Sequence, residues 1–130
     1  MKKGKNLHLI LSAIFIIPIA FVYGLYPQKI LPQLFDFTIS GTDLSNIFRA
    51  IMGLYLAMAI FWIIGIIKPE FWRAATIANI IFMTGLAAGR LVSMKLDGPP
   101  SLYFSAGLAL EALLAAWGIM NLRNAEYKKA

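Results

Sequence analysis

The chain has 130 residues, of which 60% are hydrophobic, and a formal net charge of +6. A soluble domain is about 45–50% apolar, so the composition indicates a membrane protein, and the length suits one domain over residues 1–130. The lack of cysteine excludes disulfides, thiol chemistry and cysteine-based zinc or iron–sulfur sites, and the single histidine, His8, excludes two-histidine metal or haem ligation within one chain. We therefore expect no metal and no cofactor.

Four apolar runs are each close to the ~20 residues that a helix needs to cross a bilayer. They cover residues 7–26, 44–67, 71–94 and 102–122. Because an isolated strand cannot satisfy its backbone hydrogen bonds in lipid, the runs predict four transmembrane helices and hence an all-α four-helix bundle. The linker after the first run repeats apolar residues at helical spacing over residues 30–35. This spacing predicts a short helix lying in the outer membrane interface.

The distribution of lysine and arginine predicts the orientation of the bundle in the membrane. One side carries eight of these residues, namely Lys2, Lys3, Lys5, Lys68, Arg73, Arg123, Lys128 and Lys129. The other side carries only Lys29 and Lys95. The bias predicts a multi-pass protein with both termini in the cytoplasm, and it accounts for the net charge better than nucleic-acid binding does.

Three charged residues, Arg49, Arg90 and Glu111, lie inside different apolar runs, all in the outer half. A charge in the middle of a membrane helix costs at least ~2.5–3.5 kcal/mol on insertion scales, so such residues usually have a partner or a function. Helical spacing puts each of them on a face that suits the bundle interior, so we expect Glu111 to pair with Arg49, Arg90 or both. One positive charge would then remain for Asp43, Asp97, water or a bound anion to balance.

The favoured hypothesis is a ligand site in an outer-leaflet crevice at Arg49, Arg90 and Glu111. Tyr55 is deep enough to reach this site, and Asn79 shares a helix face with Arg90. The expected ligand is an acidic lipid or a small amphipathic, quinone-like molecule, because the planar guanidinium of arginine can hold two oxygens at once.

Two alternatives remain open. In the first, the protein is a structural or assembly subunit of the membrane, and the charged cluster only stabilises the fold. In the second, it is a proton-coupled transporter or membrane enzyme that uses Glu111. We disfavour an enzyme or transporter, because two nearby arginines stabilise the carboxylate over the protonated acid.

Three further features have simpler interpretations. Gly85, Gly89 and Ser93 form a stripe of small residues, and we favour packing within the bundle over a homo-oligomer contact. His8 is interpreted as an interfacial residue. Trp62 and Trp72, near helix ends, are interpreted as part of an aromatic belt at the membrane surface.

Several blocks of the sequence resemble a known family. The second run begins with DLSNIFRAIMGLY at residues 43–55, the third holds GLAAGRLVS at 85–93 followed by DGPPS at 97–101, and the fourth carries Glu111. These blocks, within a match over roughly residues 7–122, are similar to a family of small bacterial four-helix membrane proteins known only as a domain of unknown function. The resemblance implies the bacterial cytoplasmic (inner) membrane and no particular activity. The family in turn looks distantly like DoxX-type proteins, some of which are associated with quinone-linked oxidoreductases.

Overall fold

The computed structural model describes residues 4–127 of the chain. Its helices are α1 (Leu7–Gly24), α2 (Pro27–Leu34), α3 (Thr42–Ile67), α4 (Trp72–Asp97) and α5 (Leu102–Tyr127), and a 3-10 turn at Pro69–Phe71 joins α3 to α4. The long helices α1, α3, α4 and α5 are each long and apolar enough to cross a membrane. The predicted all-α four-helix bundle is confirmed.

The helix boundaries differ from the predicted ones mainly because helices continue past their apolar runs. α5 extends five residues beyond the predicted end at residue 122, and α4 extends three residues beyond residue 94. Apolar run length reports the thickness of the bilayer core, whereas the helix ends where its backbone hydrogen bonds stop. The short helix forms at residues 27–34 rather than 30–35, because Pro27 suits the first helical position.

Successive long helices run in opposite directions, so the bundle has two ends. We call the end with residues 4–6, the 68–71 turn and the last residues of α5 the terminal end. The other end, with residues 25–41 and 98–101, is called the loop end. α1 packs mainly on α3, and α4 packs mainly on α5, while α1 and α5 touch far less. This uneven packing leaves space between α1 and α5.

Two glycines permit the close approach of neighbouring helices. A Cβ atom at Gly24 would overlap Met52 of α3, and a Cβ atom at Gly65 would overlap Ala75 of α4. The α1–α3 and α3–α4 contacts therefore depend on the absence of a side chain at these positions.

The stripe of Gly85, Gly89 and Ser93 does not pack within the bundle, so that prediction is wrong. All three residues are exposed on α4. Within residues 4–127, no heavy atom of another helix lies within 4 Å of a Cβ built at Gly85 or Gly89. The reason is rotational: α4 turns the face with Asn79 inward, and the stripe lies roughly 100° away around the helix.

The interfacial interpretation of His8, Trp62 and Trp72 is also wrong. His8 and Trp62 are 0% exposed and Trp72 is 4% exposed, so all three belong to the core at the terminal end. The amide Nδ2 of Asn121 donates to Nδ1 of His8 at 2.9 Å. Since Asn121 lies near the end of the fourth apolar run, the last turns of α5 help to enclose residues that the linear sequence places near the surface.

Candidate functional site

An ion pair joins α4 to α5 in the half of the bundle nearer the loop end. Nε of Arg90 lies 3.0 and 2.8 Å from the two carboxylate oxygens of Glu111, and Nη2 lies 2.8 Å from Oε1. The side chains are 20% and 9% exposed, respectively. Such a two-pronged arginine–carboxylate contact is strong and geometrically specific. The predicted pairing of Glu111 is therefore confirmed for Arg90.

The surface of α5 accommodates the guanidinium of Arg90. A Cβ atom at Gly107 would lie 3.6 Å from both Cζ and Nη2 of Arg90, and the ring of Phe104 lies 5.4 Å from Cζ. Phe104, Gly107 and Glu111 share one face of α5 at spacings of three and four residues. The predicted inward face of this helix thus packs against the guanidinium of Arg90.

Arg49 does not belong to this pair. It is exposed, and within residues 4–127 no carboxylate lies within salt-bridge distance of it. It lies about 120° around α3 from the buried Tyr55, and a long basic side chain near a helix end can reach the membrane interface. The predicted inward orientation of Arg49 is wrong. Without Arg49, the site contains one arginine and one glutamate, so the surplus positive charge expected there is absent.

The other two predicted site residues lie in different places. Tyr55 is 7% exposed and lines a cavity together with Arg90. Asn79 is fully buried but lies eleven residues before Arg90 on α4, which corresponds to about 16 Å along the helix. The structure therefore brings Tyr55 to the ion pair and places Asn79 in a separate cluster of the core.

Tyr23 of α1 belongs to the site and was missed from the sequence. It lines both of the cavities beside Arg90, and its ring centroid is 6.0 Å from that of Tyr55. Its place near the end of the first apolar run is typical of an interfacial aromatic residue. Only the contact between separate helices reveals its neighbours.

An apolar crevice opens between α1 and α5, next to the ion pair. Its volume is about 270 Å³, and its walls are mainly aliphatic and aromatic side chains of these two helices. Arg90 and Glu111 contribute its charged groups. Leu34 and Phe35, at the end of α2, also line it, and Phe35 stacks on Phe104 with ring centroids 4.7 Å apart. The end of the predicted short helix thus reaches this crevice.

A second cavity, of about 450 Å³, lies on the other side of Arg90. It is lined by Tyr23, Tyr55, Arg90 and Ser93, and it reaches the exposed glycine stripe of α4. Tyr23, Arg90 and Phe104 line both cavities, so Arg90 stands between them.

The ion pair leaves part of the hydrogen-bonding capacity of Arg90 available. A guanidinium carries five N–H groups. Among residues 4–127, Arg90 uses its Nε–H and one N–H of Nη2 toward Glu111, and the hydroxyl of Tyr23 is close enough to be a further side-chain hydrogen-bond partner. The charge of Arg90 is balanced, but the remaining N–H groups can donate to an uncharged oxygen. The site can therefore hold a polar group, whereas Glu111 is engaged as the counter-ion.

Comparisons with known proteins give one match, to a family model. No curated protein and no solved structure matches the chain. One family model matches residues 5–122, a range that includes all four long helices up to residue 122 and the ion pair. The chain belongs to the family described as Domain of unknown function (DUF4345).

Proposed function

We propose that this membrane protein binds a single amphipathic molecule in the crevice between α1 and α5. The observation that supports the proposal is an apolar crevice of about 270 Å³ that ends on a charge-balanced Arg90–Glu111 pair. Ligand sites are commonly concave and mostly apolar with a few converging polar groups, and in bundles they lie between helices. The apolar part of the molecule lies between the two helices, and its polar part lies at Arg90.

The balanced charge favours an uncharged polar group. Because Glu111 neutralises Arg90, the site offers hydrogen-bond donors without a net positive charge. A carbonyl oxygen of an ester or of a quinone-like ring accepts such hydrogen bonds without needing a counter-ion. The proposed ligand is therefore a neutral lipid or quinone-like molecule rather than an acidic lipid. The aromatic rings of Phe35 and Phe104 suit a flat ring, because aromatic rings prefer stacked or edge-on contacts.

The segment at the end of α2 acts as a cover for the crevice. Leu34 and Phe35 line it from the loop end, and Leu31, one turn earlier, is fully buried and anchors the short helix. A ligand entering from this end displaces or passes these two side chains. The cover shields the polar part of the ligand from water and so strengthens its hydrogen bonds to Arg90.

Filling the crevice tests the proposal without disturbing the ion pair. Leu110→Trp places a large side chain in the wall of the crevice, and Leu113→Trp places the same side chain on the exposed side of the same helix. We expect the wild type and Leu113→Trp to retain a bound molecule, and Leu110→Trp to lose most of it. Native mass spectrometry measures this retention after purification and after incubation with phosphatidylcholine, phosphatidic acid or a short-chain ubiquinone.

Two outcomes would contradict the proposal. Equal retention by all three proteins would mean that the crevice holds nothing, and the ion pair would then have a structural role. Retention of phosphatidic acid alone, abolished by Arg49→Ala, would move the site to the exposed surface of α3.

A further inference from the structure

The core near the terminal end is unusually polar for a membrane protein. His8 and Ser12 of α1 and Thr76 and Asn79 of α4 are all 0% exposed, and Trp62 of α3 is equally buried. These side chains come from three helices, and none of them lines the cavities beside Arg90. The cluster is therefore separate from the proposed ligand site.

Helix register brings the polar side chains of α1 and α4 to the same depth. The rings of His8 and Trp72 pack edge to face with centroids 6.3 Å apart. Because α1 and α4 run in the same direction from the terminal end, Ser12 and Thr76 each lie one turn further into the bundle. The two polar faces therefore run alongside each other.

The other two helices close the cluster. Trp62 of α3 packs edge-on against Phe82, one turn from Asn79, with centroids 5.6 Å apart. On α5, Asn121 donates to Nδ1 of His8, and a Cβ at Gly118 would lie 3.5 Å from the His8 ring. All four long helices thus contribute to one region of the core.

Most of these polar groups have unmet hydrogen-bonding capacity within residues 4–127. The buried atoms concerned are Nε2 of His8, Oγ of Ser12, Nε1 of Trp62 and Trp72, Oγ1 of Thr76, and both amide atoms of Asn79. An unmade hydrogen bond at a buried atom is costly, and native proteins satisfy nearly all such atoms with protein groups, water or a ligand. Seven such atoms in one region of the core indicate that a small molecule is bound there.

The chemistry of the donors and acceptors identifies the class of molecule that could bind there. The two indole N–H groups can only donate, and Nε2 of His8 donates or accepts according to the tautomer of the ring. The hydroxyls of Ser12 and Thr76 and the amide of Asn79 can both donate and accept. No atom of the set carries a formal charge when His8 is neutral. A small neutral molecule that accepts several hydrogen bonds and also donates fits this set.

We propose that the terminal half of the bundle binds a cluster of water molecules between Ser12, Trp62, Thr76 and Asn79. A buried water typically makes about three hydrogen bonds to groups that would otherwise be unsatisfied. The water cluster is separated from Glu111 by an apolar layer of Ile16, Met83 and Leu114, which are 4%, 1% and 3% exposed. This layer is also part of the crevice wall, so it separates the hydrated region from the crevice and its ion pair.

X-ray radiolytic footprinting tests for the water directly. Hydroxyl radicals formed from a bound water oxidise the side chains beside it, whether or not bulk solvent reaches them. We expect Trp62 and Trp72 of the wild-type protein to be oxidised several-fold faster under X-rays than by radicals generated photochemically from peroxide in the bulk. Thr76→Val combined with Asn79→Leu should remove most of this excess while leaving the oxidation of Trp117 unchanged. An absence of excess oxidation in the wild type, or an excess that the double variant keeps, would overturn the proposal.

Thermal unfolding gives a second readout with a predicted sign. If Thr76 is a partner of bound water, Thr76→Val should lower the Tm, because a water loses one of its hydrogen bonds. If the site is dry, the same near-isosteric change removes an unsatisfied hydroxyl and should raise the Tm. A raised Tm would therefore also overturn the proposal. If the double variant does not fold, the oxidation of Trp62 and Trp72 in the wild type still tests for the bound water.

Discussion

At the residue scale, the Arg90–Glu111 pair is the feature on which most of the chemistry of the bundle depends. Its two side chains belong to different helices, and each of them satisfies the charge of the other in a region where water is scarce. Removing one member leaves the other as an uncompensated buried charge, which is more damaging than replacing both. The pair can therefore be tested separately for its structural role and for its ligand role.

We expect Glu111→Ala to lower the free energy of unfolding by ~3–5 kcal/mol, because Arg90 loses its counter-ion. Equilibrium unfolding in mixed micelles measures this change. Glu126→Ala is the matched control, since Glu126 forms a salt bridge with Arg73 in which the side chains are 53% and 63% exposed, respectively. Exposed pairs contribute little, so the control should change stability by less than ~1 kcal/mol.

Equal effects of the two alanine substitutions would contradict a buried, structural pair. The double variant Arg90→Met with Glu111→Leu adds a further check. It should recover most of the stability lost in Glu111→Ala, because no charge is left without a partner. It should still fail to retain a ligand whose polar part binds Arg90.

At the element scale, glycines distinguish helix faces that pack from faces that do not. Gly65 allows α3 to approach Ala75 of α4, whereas Gly89 lies on an exposed face of α4. The two glycines occur in helices of equal length, each of 26 residues. Their different environments therefore give a direct test of the helix arrangement.

We expect Gly65→Ala to destabilise the bundle by ~1–3 kcal/mol, the usual cost of overpacking, because the new methyl group would overlap Ala75. Gly89→Ala should have little effect on the same unfolding measurement, because its methyl group meets open space. A larger loss of stability at Gly89 than at Gly65 would refute this arrangement.

A homo-oligomer contact through Gly85, Gly89 and Ser93 remains a prediction. If the contact forms, Gly89→Leu should lower the mass of the protein–detergent particle.

At the scale of the whole molecule, the orientation in the membrane remains a prediction from charge. Within the described residues, the terminal end carries Lys5, Lys68, Arg73 and Arg123, and the loop end carries Lys29 and Lys95. The other four basic residues of the predicted cytoplasmic side, Lys2, Lys3, Lys128 and Lys129, lie outside residues 4–127. The bias still favours a terminal end in the cytoplasm.

Single cysteines at Thr38 and Glu70 test this orientation, because both residues are exposed in loops at opposite ends and the chain has no native cysteine. An impermeant thiol reagent applied outside an intact inner membrane should label Thr38→Cys and leave Glu70→Cys unlabelled. Labelling of Glu70→Cys should appear only after that membrane is permeabilised. The reverse pattern would invert the topology.

The amino-acid sequence by itself determined the four membrane helices, the inward faces of α4 and α5, and the expectation that Glu111 pairs with an arginine, without deciding between Arg49 and Arg90. These follow from the length of apolar runs, from the helical period along one segment, and from the cost of an isolated charge in lipid. Each of these is a property of a single helix and its solvent. The existence of a short helix after α1 could be predicted from helical spacing, whereas its bounds, Pro27 and Leu34, were given by the structure.

Only the tertiary structure decided which helix faces meet. It turned Arg49 away from the ion pair, brought Tyr23 and Tyr55 to Arg90, and left the glycine stripe of α4 exposed. It also enclosed His8 with the polar residues of the terminal end. The physical reason is that the rotation and vertical register of a helix depend on its neighbours. In lipid, an apolar side chain is equally well solvated by the membrane or by another helix, so composition alone does not distinguish the two.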